Sequence, residues 1–197
     1  MHRTLLRISS GIFLFAIAAL VFGYPLLSPP ATGQNATETS QAQTRTFPES
    51  WHGIWKGICR SNRPAGGGFH FAMELHIRPT DQDGRFEWKL IYGEGEKRQV
   101  RDYELVIRDA AKGDYVIDEK NSITIDAVLI DSQLCAQYSV DGSLITLTYT
   151  REDEAILFRL LSSRLNDSVI SGGEGEIPKV LTYPIDTAQS AVLRKQL

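Results

Sequence analysis

Three side chains able to bind a metal fall on same-parity positions of one short stretch, His70, Glu74 and His76. Residues two apart on a strand share a face and stand about 6.6 to 6.8 Å from each other, close enough for two ligands to share an ion. No further ligands complete the set, so no metal is expected and the three are read as a face turned to water. The run Arg60-Ser61-Asn62-Arg63-Pro64-Ala65-Gly66-Gly67-Gly68 sets two guanidinium groups beside glycines. That composition suits an anionic head group, and equally a solvated loop between strands. Asp81-Gln82-Asp83-Gly84 begins like a calcium loop but lacks the terminal glutamate, and a hairpin turn accounts for it better. Around Glu94-Gly95-Glu96-Lys97-Arg98 and Arg101 the signs mix closely, as on a protected strand edge or a docking surface. There is no G-x-S-x-G, no H-E-x-x-H, no phosphate-binding glycine loop and no Cys-x-x-Cys. Carboxylates such as Glu87 and Asp126 have no acid/base spacing, although catalytic groups can converge from distant strands.

The elements that would hold these groups begin after an atypical N-terminus. His2, Arg3 and Arg7 precede an apolar run from Gly11 to Phe22, the pattern of a secretory leader. Ala31-Thr32-Gly33 offers a small-x-small site, with cleavage before Gln34; an uncleaved anchor is the alternative. Tyr24 and Pro25 break the apolar run, which is shorter than the roughly 20 residues of a spanning helix. Export to a periplasmic or extracellular compartment is expected. Without Arg3 and Arg7 the chain carries 19 Lys+Arg against 24 Asp+Glu, a net of −5 that repels nucleic acid and anionic lipid. Residues 34–48 are rich in Thr, Gln, Ser and Asn and read as a linker that cannot offset its ordering entropy.

From Trp51 the pattern changes to period two. Phe69, Phe71, Met73, Leu75 and Ile77 alternate with polar neighbours, then Phe86, Trp88, Leu90 and Tyr92 after the turn at Asp81 to Gly84. Tyr103, Leu105 and Ile107 continue the series, followed by Ile123 to Leu129 and by Leu134, Ala136, Tyr138 and Val140. Asp141-Gly142, a strong hairpin signal, leads to Ile145, Leu147 and Tyr149, and Ile156, Phe158 and Leu160 close the set. About 8 to 10 short strands with tight turns predict an all-β antiparallel up-and-down barrel over 49–165. Residues 166–197 form an extension packing on the barrel, and Ala188, Ala191 and Val192, at helical spacing, predict a short C-terminal helix covering the apolar outer face of the last strand. Cys59 shares a strand face with Trp55, whereas Cys135 alternates with the inward set, so the registers argue against assuming a disulfide and two separate thiols are expected.

Gly53-Ile54-Trp55 on the first strand resembles the G-x-W signature of the lipocalin and calycin barrels. The resemblance implies that Gly53 and Trp55 are structural, with Trp55 sealing the closed end beneath an arginine, Arg159 or Arg164. With Gly57 the motif is also similar to haem-binding barrels related to nitrobindin, which use a late histidine; no histidine follows His76 here, and no cofactor is expected.

The expected interior site is lined by Phe71, Met73, Phe86, Trp88, Leu90, Tyr103, Leu105, Tyr138, Leu147 and Tyr149, with Arg60 and Arg63 gating the mouth. Such a lining suits a small apolar or amphipathic molecule oriented by phenol hydroxyls, although the same side chains can fill a barrel completely. The leading expectation is an exported, non-catalytic binding barrel. The alternatives are a filled barrel acting through its surface as a structural or partner-binding protein of the cell envelope, and an isomerase or lyase acting on a hydrophobic substrate inside.

Overall fold

Strands whose apolar side chains all face one way bury that face, and remove their edges, by curling onto themselves. The computed structural model, which describes residues 46–64 and 66–197, is such a closed antiparallel barrel of ten strands. Nine follow one another round the wall: β1 (Gly53–Asn62), β2 (Phe69–Pro79), β3 (Arg85–Tyr92), β4 (Gln99–Asp109), β5 (Asp114–Asp118), β6 (Thr124–Ile130), β7 (Gln133–Val140), β8 (Ser143–Glu152) and β9 (Ala155–Arg164). A small hairpin of β10 (Val169–Ser171) and β11 (Val180–Thr182) interrupts the series. Then β12 (Ile185–Lys195) inserts between β9 and β1 and closes the ring. The turn expected at Asp141-Gly142 joins β7 to β8 with both residues at positive φ, 47° and 75°, as a type I′ hairpin requires.

The predicted C-terminal helix is a strand. Ala191 and Leu193 are buried two residues apart, and Val192 between them is exposed, which is the period of a strand. Nine residue pairs tie β12 to β9, from Ile185↔Ser163 to Arg194↔Ala155. The segment therefore completes the wall instead of covering it. Leu157 and Leu161 of β9 still face outward, and Val192 now joins them.

The expected leader, and the linker as far as residue 45, lie outside the described residues. Phe47 and Pro48, at the linker's end, belong to the barrel's floor. Phe47 sets its ring edge-on to Trp51 at 4.7 Å and to Tyr115 at 5.0 Å, and Pro48 is fully buried. The core fills the barrel above this floor, with Trp55, Met73, Leu75, Ile77, Trp88, Leu105, Leu134, Ile156 and Leu193 all inaccessible to solvent. Cys59 is buried inside and Cys135 lies on the outer wall, both as free thiols.

Candidate ligand site at the open end of the barrel

The two ends of the barrel differ, and the closed end explains the glycine and tryptophan motif. The Trp55 indole N–H donates to the Trp51 carbonyl at 2.9 Å. The Arg151 guanidinium lies over its ring, 4.7 Å from the centroid, and the Lys195 ammonium 5.5 Å from it. Arg151 also donates to the Ser50 carbonyl at 2.9 Å, tying the end of β8 to the 3-10 turn Glu49–Trp51 beneath. Gly57 allows β12 to approach: a Cβ there would stand 2.2 Å from the Val192 carbonyl oxygen.

The arginine over Trp55 is thus Arg151, neither Arg159 nor Arg164. Arg159 pairs with Thr148 and Ser190 and projects from the outer wall, while Arg164 bonds Asp186 at 3.4 Å. Alternation held the right answer, because Arg151 continues the inward phase of Leu147 and Tyr149 whereas Arg159 falls between Phe158 and Leu160.

Of the ten interior residues expected to line a site, seven are packed core: Met73, Phe86, Trp88, Leu90, Leu105, Leu147 and Tyr149. Trp88 and Tyr149 cross at 89° with centroids 5.2 Å apart, and Tyr149 meets Phe158 at 5.2 Å. The Trp88 indole N–H makes no hydrogen bond of good geometry, although it faces the Tyr149 hydroxyl closely enough to oppose part of that group's upward shift. The other three, Phe71, Tyr103 and Tyr138, lie only partly buried towards the open end. There they meet two residues that the expected lining left out. Tyr92 packs against Phe71 at 5.8 Å, and Arg101 pairs with Leu90 across β3 and β4 and so shares its inward face. Arg101 continues the phase of Tyr103 and Leu105, so it too was legible.

A recess of about 940 Å³ opens here against Phe69, Phe71, Tyr92, Gln99, Arg101 and Gln189, with Glu94 and Lys97 at its edge, and spills over the rim onto Ile58, His70 and Ala72. Burial drives the Tyr92 phenol far above its usual range; the nearby Tyr103, Tyr138 and Cys59 add to this and Arg101 opposes it. Burial, then the Glu119 carboxylate that accepts its hydroxyl, pushes Tyr103 up to about 12. Burial likewise raises Tyr138 and the Cys59 thiol, the latter to about 11, so both are neutral at physiological pH. Among the described residues no carboxylate stands within ion-pair distance of Arg101.

The predicted gate differs from this arrangement. β1 runs on to Asn62, so Arg60 belongs to a strand and faces outward opposite His70 and Ser190. Arg63 is exposed in the loop that follows. His70, Glu74 and His76 do share the outer face of β2. Glu74 bonds His76 at 2.8 Å and Lys56 at 3.0 Å; burial raises its pKa, but these two bonds outweigh that and hold it below its usual value. Among the described residues no three His, Cys, Asp or Glu side chains are grouped so as to hold a metal ion.

No protein-family model matches the sequence, and no curated protein does. Solved structures share the fold at low identity. A protein of unknown function from the DUF3598 family of Nostoc punctiforme superimposes with a TM-score of 0.54 at 10% identity, covering 75% of this chain and 48% of its own. This chain therefore spans about half the length of that one. The S-type phycobiliprotein lyase CPES from Guillardia theta superimposes with a TM-score of 0.52 at 9% identity, covering 76% of this chain and 90% of its own. These place the barrel among lipocalin-like folds.

Proposed function

We propose that this chain is an exported, non-catalytic barrel that holds one small amphipathic molecule in its open half, the apolar body against Phe71, Tyr92, Tyr103 and Tyr138 and an acidic head at Arg101. The observation that carries this reading is the inward-facing guanidinium, without an ion-pair partner among the described residues, in a recess lined by Phe71 and Tyr92 with Tyr103 and Tyr138 nearby, above a packed floor. Ligand sites are mostly apolar with a few placed polar groups, and this end of the barrel has that make-up. A fold shared with a structure named as a lyase is compatible with small-molecule handling, while at 9% identity it lends no reaction to this chain. Export rests on the charged and apolar pattern of residues 2–22.

The test uses cis-parinaric acid and its methyl ester, followed by energy transfer from tryptophan. Saturable one-to-one binding of the acid is expected, with the ester about tenfold weaker, the scale of one charge-assisted contact. Arg101→Gln should bring the two probes level. No saturable binding, or an Arg101→Gln protein that still prefers the acid, rejects the site. For export, the intact mass of protein recovered from the host is decisive: loss of residues 1–33 supports it, and soluble protein retaining them refutes it.

A further inference from the structure

The outer wall carries a second arrangement, which the lumen does not use. Along its middle β12 turns small side chains outward, Ala188 and Ser190, between β1 and β9. Ser190 pairs with Arg60 of β1 on one side and with Arg159 of β9 on the other. Their Cα positions are thus two strand spacings apart, about 10 Å. The two arginines and Ser190 line one recess of about 420 Å³.

Two further facts give this recess a chemistry. On the outer faces of β2, β3 and β4 the arginines are paired: Arg78 with Glu87, Arg85 with Glu104, Arg108 with Asp114. Arg60 and Arg159 enter no ion pair among the described residues. Their shoulders are apolar and open. Ile58 is 52% exposed, Val192 49% and Leu161 42%, and Val192 stands beside Leu157. Planar guanidinium groups suit a phosphate, and an exposed apolar patch marks a contact surface.

We propose that this face docks an anionic phospholipid, its phosphodiester held between Arg60 and Arg159 with Ser190 donating to it, and its acyl carbons lying over Ile58, Val192 and Leu157. The chain's negative net charge repels an anionic surface at long range, so the attraction is local, from two unneutralised cations set in an apolar patch. The complementary occupant is anionic at one end and apolar at the other.

Calorimetric titration of the full chain with monomeric dihexanoylphosphatidylglycerol tests this, against dihexanoylphosphatidylcholine and glycerol 1-phosphate. The anionic lipid binds, the zwitterionic lipid binds at least tenfold more weakly, and the phosphate ester alone gives no heat. Arg60→Gln and Arg159→Gln each weaken the lipid about tenfold. Arg108→Gln on β4, four strands round the barrel from β12, leaves it unchanged, and unaltered circular dichroism shows that each variant is folded. Arg101→Gln also leaves it unchanged, which separates this site from the lumen. Equal binding of glycerol 1-phosphate, full lipid affinity in both Arg60→Gln and Arg159→Gln, or a dimer that Val192→Thr dissolves would each overturn the proposal.

Discussion

The two halves of the lumen use the same strands and the same alternation, yet one is solid and the other is not. In the closed half Trp55, Trp88, Met73, Leu75, Ile77 and Leu105 are inaccessible to solvent, and the segment from Phe47 to Trp51 adds aromatic volume from below. In the open half Phe71, Tyr103 and Tyr138 remain partly exposed beside Arg101. Barrel width grows with strand number, and ten strands enclose more than the wall's own side chains need to fill. What differs is the plug. Where the chain supplies one, the interior is a core; where the described residues supply none, the same wall is left as a recess.

The sharpest way to break this contrast is at Trp88. Trp88→Ala removes the ring that packs on Trp51 at 6.5 Å and on Tyr149 at 5.2 Å, and should cost about 3–5 kcal/mol by urea unfolding. A loss below about 1 kcal/mol would mean that the closed half is not the packed core. Gly57→Ala tests the seam of the same half. Its Cβ would lie 2.2 Å from the Val192 carbonyl, so β1 and β12 must part, at about 1–3 kcal/mol. Hydrogen exchange should then rise first along β12.

Much of this was legible in the sequence, because period-two alternation reports which face a residue takes and needs no partner to be known. Nine strands and the Asp141-Gly142 turn follow from it directly. β12 escaped because Gln189 and Lys195, polar residues at its inward positions, hide the alternation of Ala191 and Leu193 and leave Ala188, Ala191 and Val192 to mimic helical spacing. The recess was hidden for another reason: the pattern distinguishes inside from outside but not filled from empty. The cation over Trp55 sits between these cases, since its phase was visible and its partner was not. Arg151→Gln removes the contact over the indole and the bond to the Ser50 carbonyl, together about 1–2 kcal/mol, whereas Arg159→Gln should leave unfolding unchanged. Equal losses in the two would deny the closed end its clamp.

Alkaline pH separates the halves by a different route. Tyr92, Tyr103, Tyr138 and Tyr149 all have folded pKa values raised by burial. For an acid that folding keeps neutral, the associated stability is complete below its unfolded value of about 10 and is lost as pH rises through the folded one. Phenolate absorbance should therefore show Tyr103 and Tyr138, towards the mouth, ionising while near-ultraviolet circular dichroism persists. Tyr149 should follow only as that signal collapses. A single titration near pH 10 with the fold intact would show that water already reaches the closed half.

The smallest expected effect is the most telling for function. Arg101 bonds no carboxylate among the described residues and is exposed at the mouth, so Arg101→Gln should change unfolding by less than about 0.5 kcal/mol. A residue that packs or pairs for stability cannot be replaced so freely. If the variant instead loses 2 kcal/mol or more, on the order of a broken buried contact, Arg101 belongs to the scaffold and the two halves of the lumen are alike. If stability is unchanged while preference for an acidic probe is lost, the charge serves what enters the barrel and not the barrel itself.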